Sequence, residues 1–154
     1  MNVHNVGTAA RAHRYDPGAD AALRHPDWVI RHRNLHGVPE VLCLRRRVIL
    51  IENTHDRATR RCNLAHAIAH IDLAHKATSG ILSKRQELAA DLLAARRLIA
   101  LSDLAQAAVW AESFEELARE LDVDDRVLWV RYRHLHPSER GHLFRVLDAK
   151  ILTA

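Results

Sequence analysis

The chain has 154 residues, 48% hydrophobic and 27% charged, a length and balance that suit one folded unit built on a single core. No apolar run approaches the roughly 18 residues that a membrane span requires, which argues against a membrane protein. The formal net charge of +4 permits attraction to nucleic acid or to an acidic partner without choosing between them.

The N-terminus, MNVHNVGTAARAHRYDPG, lacks the apolar stretch of a secretory signal, so a cytoplasmic location is expected. Cys43 and Cys62 show no CxxC spacing and read as reduced, buried side chains. Residues 1–22 carry Gly7, Pro17 and Gly18 with little apolar periodicity and read as a loosely ordered arm leading into a short helix. His25-Pro26-Asp27 gives a turn before the apolar Trp28-Val29-Ile30, and Gly37-Val38-Pro39 marks another. Val41, Leu42 and Leu44, then Val48 to Ile51, flank a polar hinge at Arg45-Arg46 and predict a β-hairpin over about 40–53.

Asn53 to Asp56 offer several caps for a helix beginning near Arg57. Leu64, Ala65, Ile68, Ala69, Ile71 and Leu73 make that helix apolar on most faces, the pattern of a buried central helix. Thr78-Ser79-Gly80 breaks the chain. Lys84 to Leu101 has Leu88, Leu92, Ala95 and Leu98 at helical spacing, with alanines that let another helix approach closely. Ser102-Asp103, Ser113 to Glu116, Asp124-Asp125 and Pro137 then mark the starts of four more helices. The predicted architecture is α+β: a small sheet packed on the histidine helix, with a C-terminal helical bundle over 102–154.

Within LAHAIAHIDLAH, His66 and His70 lie four apart, so they project from neighbouring turns of one helix face and can share a tetrahedral metal. Two unpartnered imidazoles would be costly to bury on so apolar a helix, which strengthens that reading. His75 sits about 140° around the helix from His70 and about 180° from His66, so it could join only if the helix broke first. It reads instead as a C-terminal residue interacting with the last carbonyls. Glu87, on the next helix, is the better third ligand, and Asp91 shares its face and could orient a histidine by accepting its remaining N–H. Two neutral imidazoles and a carboxylate would leave a Zn²⁺ site with a net charge of about +1, able to polarise a carbonyl. Without the histidine helix, Glu87 and Asp91 would read as surface partners of Lys84 or Arg97.

RCNLAHAIAHIDLAH followed by QELAADLLAARRLI resembles the zinc-binding core of the ImmA/IrrE family of metallopeptidases, which carries an HExxH helix and then a helix with Glu-x-x-Ala-Asn/Asp. The VILIEN strand and the arginines before the helix fit the same pattern. FEELARELDVDDRVLWVRYRHLHPSER is similar to the helical segment that ends phage and actinobacterial members. The resemblance covers residues 25–145 and is most specific over 60–99. It implies a zincin-like core over 23–101 within one metallopeptidase-like domain, with His66, His70 and Glu87 as zinc ligands. It also implies action on a protein substrate, a helix-turn-helix repressor by family habit.

The departure is Ala67, which stands where the family carries its catalytic glutamate. A general base there contributes roughly 10²- to 10⁴-fold, and a methyl group can neither take nor deliver a proton. Both an engineered trap and a natural pseudoenzyme would carry this residue. The leading reading is therefore a zinc endopeptidase disabled at Ala67, with Val48 to Ile51 as an edge strand that holds substrate extended. The alternative is a noncatalytic protein that captures a repressor in the same groove. DNA binding by the C-terminal helices, through Arg126, Arg131 and Arg133, is disfavoured because the would-be recognition helix begins with Asp124-Asp125. Tyr15, His75 and Tyr132 are candidates for stabilising an oxyanion.

Overall fold

The computed structural model describes residues 14–77 and 79–151 and has the α+β architecture. A short helix α1 (Pro17–Arg24) leads into strands β1 (Val29–Arg33), β2 (Glu40–Cys43) and β3 (Val48–Glu52). Six helices follow: α2 (Arg57–Asp72), α3 (Gly80–Leu98), α4 (Leu101–Trp110), α5 (Phe114–Leu121), α6 (Asp125–Arg133) and α7 (Pro137–Ile151). Of the arm expected over 1–22, residues 1–13 lie outside the described residues. The rest is ordered as α1, because Asp16 accepts from the backbone N–H groups of Gly18 and Ala19 and Pro17 presets the first helical turn.

The sheet is three-stranded and mixed, in the order β1-β3-β2. β2 and β3 form the expected hairpin, with Val41 opposite Leu50, and β1 adds in parallel on the other side of β3, with Ile30 beside Ile49. The expectation of an edge strand at Val48 to Ile51 is thus overturned. β3 is the central strand, paired on both sides, and the hairpin edge open to an added strand is β2. The added β1 pairing makes it central, while its side chains alternate: Ile49 and Ile51 are fully buried and Val48 and Leu50 half-buried, the pattern of a strand with one face on a core.

Glu52 ends β3 inside the protein, where its carboxylate accepts from the N–H groups of Leu35 at 2.7 Å, Thr54 at 3.0 Å and Gly37 at 3.2 Å. It thereby fixes the turn after β1, in which Gly37 takes φ +88°. Those N–H donors, Thr54 foremost, pull the Glu52 pKa down to about 2.

α2 begins where Asp56 accepts from the Thr59 N–H at 2.8 Å, and it is buried continuously from Cys62 to Ala69 because both of its flanks are covered. On one flank Leu64, Ala67 and Ile68 meet Ala21 of α1 and Ile49 and Ile51 of the sheet. On the other, Cys62, Ala65 and Ala69 meet Ala90, Ala94 and Leu98 of α3 and the helices beyond. These small side chains let α2 and α3 approach closely, which sets the distance across which the histidines face Glu87.

Ser113 and Asp124 cap α5 and α6 through the N–H groups of Glu116 and Val127, as their spacing predicts. α4 differs, since Ala100 precedes it and no side chain caps it. Among the described residues no helix is long and apolar enough to cross a membrane.

Candidate metal centre

His66 is buried on α2 and its ring is committed at one nitrogen only. Nδ1 lies 2.6 Å from Oε1 of Glu40, at the start of β2, so the proton sits on Nδ1 and the lone pair is left on Nε2. That Nε2 is buried without a hydrogen-bond partner among the described residues. It faces Oε2 of Glu87 at 3.6 Å and Oδ1 of Asp91 at 3.4 Å, two acceptors set against a third.

His70, one turn on, is held in a similar way. Its Nδ1 lies 2.9 Å from Nδ1 of His75, which leaves Nε2 pointing at Oε1 of Glu87, 3.5 Å away. Burial, and then the neighbouring His66, hold the His70 pKa below its ordinary value and so favour the neutral imidazole that a metal requires. The ligand atoms of His66, His70 and Glu87 all lie within 4.8 Å of one another, and this group could hold a metal ion. The orphaned Nε2 and the converging electron-pair donors fit a cation, which would relieve the clash of acceptors.

His75 reaches the site because α2 does break before it. Leu73 is the C-cap, Ala74 takes the left-handed conformation at φ +51°, and the N–H groups of His75 and Ala74 return to the carbonyls of His70 and Ile71. This is a Schellman termination, which normally signals itself by glycine and here does not. The backbone of His75 thus bonds a last-turn carbonyl as expected, while its ring packs 4.9 Å from that of His70.

Asp91 lies on the Nε2 side of His66 and is paired with Arg126 at 2.7 Å. The remaining N–H of His66 goes to Glu40, a residue that sequence reasoning passed over because it lies 26 positions away across a strand pairing. Ala67 lines the cavity of about 350 Å³ over this group, together with Glu40, Leu42, His66, His70 and Glu87. Of the oxyanion candidates, only His75 lines it. Tyr15 donates to Asp20 on the far side of α2, and Tyr132 stacks on Trp129.

The arginines suggested for DNA contact are also accounted for. Arg131 is buried, donating to the Ile99 carbonyl and to both oxygens of Glu139, and Arg126 is bound to Asp91. Arg133 lies over the Trp129 ring.

Comparison with known proteins adds the lineage of this arrangement. A peptidase family model described as the IrrE N-terminal-like domain matches residues 18–131, a span that contains both histidines, Glu87 and the whole sheet. Neither a curated protein nor a solved structure matched the chain.

Proposed function

Because the chain belongs to the IrrE N-terminal-like peptidase family, a metalloprotease lineage, we propose that it holds zinc through His66, His70 and Glu87 and engages an extended segment of a repressor-like protein. In this reading Ala67 leaves the peptidase without its carboxylate base. The observation that carries the proposal is the buried, unpartnered Nε2 of His66 aimed at the Glu87 carboxylate. Zinc bound there would supply Lewis acidity to a peptide carbonyl and to water.

The chain's own residues do the rest. Glu40 fixes the tautomer and ring plane of His66, His75 holds the ring of His70 through its Nδ1, and the Asp91–Arg126 pair lies beside His66 without occupying Nδ1. The β2 edge flanks the cavity through Glu40 and Leu42, so a substrate strand could add to it by β-augmentation, with its scissile region over the histidines. Position 67 faces the same cavity from the turn between the ligands, where a longer carboxylate would serve as general base.

The test replaces Ala67 by Glu and incubates both forms with a helix-turn-helix repressor as candidate substrate, with and without chelator. Cleavage by the Ala67→Glu form is expected to exceed that of the parent by about 10²- to 10⁴-fold, or about 2.7–5.5 kcal/mol in barrier height. If both forms carry zinc and bind the repressor equally but neither cuts it, the noncatalytic reading replaces this one. Absence of zinc from both forms, despite metal added at neutral pH, overturns the ligand assignment itself.

A further inference from the structure

The second large cavity lies on the opposite face of α2. Counting 100° per residue, His66 and His70 stand about 180° and 220° from Arg57 around the helix, while Arg60, Arg61 and Leu64 fall within about 60° of it. The cavity holds about 590 Å³, and its walls include Arg14, Arg57, Arg60, Arg61 and Arg119. Against five guanidinium groups the lining carries two carboxylates, Asp16 and Asp122.

Asp16 is already bound to the N–H groups that start α1, and Asp122 pairs with Arg57 at 2.7 Å. Arg14 donates from Nη1 to the Glu120 carbonyl at 2.7 Å and stands 3.9 Å from the Glu120 carboxylate, while its Nε is buried without an acceptor among the described residues. Arg61 reaches inward to the carbonyls of Asp122 and Tyr15, and burial lowers its pKa, the mark of a cation lacking full compensation. Among the described residues Arg60, Arg61 and Arg119 make no ion pair with a carboxylate. Residues 1–13 hold no Asp or Glu that could supply one.

Gathering arginines this closely costs self-repulsion, which a bound anion relieves. The planar guanidinium suits phosphate oxygens, which it can engage two at a time. The volume lies within the range of small-ligand sites, and Tyr15, Pro17, His32 and Leu64 give the cavity walls against which a flat group could rest.

We propose that this arginine-lined cavity binds a small anion of the diphosphate class, either free or as the ester of a nucleoside, at a site separate from the histidine centre.

The test is isothermal titration of the full chain with inorganic pyrophosphate, with ADP and with orthophosphate, all at one ionic strength. Arg60→Ser and the Arg60→Ser/Arg119→Ser pair are titrated beside the parent; neither arginine makes an ion pair among the described residues, and circular dichroism checks folding. One saturable site for pyrophosphate or ADP is expected, weakened at least tenfold in the double variant and by a smaller factor in the single one. Tighter binding of ADP assigns the ester, and equal binding assigns the free diphosphate; both support the proposal. No saturable binding, or binding that the double variant leaves unchanged, overturns it. So does binding confined to oligonucleotides with affinity rising with length, which would give the cavity to a nucleic-acid backbone.

Discussion

Replacing Glu40 by Gln tests whether the contact behind His66 organises the proposed metal centre. The Glu40 Oε1 to His66 Nδ1 distance is 2.6 Å, and the side chains are 16% and 7% exposed, so this bond to a carboxylate is poorly screened. Glutamine keeps the size and one carbonyl acceptor but loses the charge. Hydrogen bonds to charged groups contribute about 1.5–3 kcal/mol, against about 1 kcal/mol for neutral pairs. Loss of an orienting partner behind a metal-bound histidine typically costs 10- to 100-fold in affinity, or about 1.4–2.7 kcal/mol. The low exposure of both groups puts the expected loss in the upper half of that range. Competition with a chromophoric chelator at neutral pH measures it, with urea unfolding of the metal-free proteins as a check on the fold. If Glu40→Gln and Glu40→Ala both retained zinc as tightly as the parent, His66 would not depend on this contact and the proposed centre would need another organisation.

Glu52 should make stability sensitive to acid. Its folded pKa, about 2, lies below the ordinary 4.5, so its contribution to stability is complete above about pH 4.5 and is lost as pH falls through about 2. Thermal melts of Glu52→Gln should show a flatter dependence across that window than the parent, and parallel curves would contradict the assignment. In α7, Glu139→Gln leaves Arg131 of α6 buried without its carboxylate and should cost about 3 kcal/mol by urea unfolding. That value sits at the low end for a broken buried pair, because Glu139 is about a quarter exposed. A loss under about 1 kcal/mol would mean that solvent already compensates Arg131.

Local features of this chain were legible because their physics is local. Asp56, Ser113 and Asp124 cap helices through N–H groups three residues away, and the alternation of Val48 to Ile51 records one buried face of a strand. The four-residue spacing of His66 and His70 likewise sets them on one helix face whatever the rest of the chain does. Long-range features carried no such signal. β1 is exposed at four of its five residues, so it has no apolar alternation, and its parallel pairing with β3 joins positions 19 apart. That pairing turned Val48 to Ile51 from an edge into the centre of the sheet.

The left-handed turn at Ala74 lacks the glycine that would announce it, and it is held by the carbonyls of the preceding turn while the chain reverses toward α3. Glu40 reaches His66 only because β2 lies against α2, and Arg131 is buried only because Ile99 and Glu139 converge on it. Sequence alone determined the helices, most of their caps, the hairpin and the pair of histidines, since each depends on neighbours within a turn or a strand. Tertiary packing decided which strand edge is open, which carboxylate backs which imidazole and where the arginines gather, because those depend on groups brought together from distant parts of the chain.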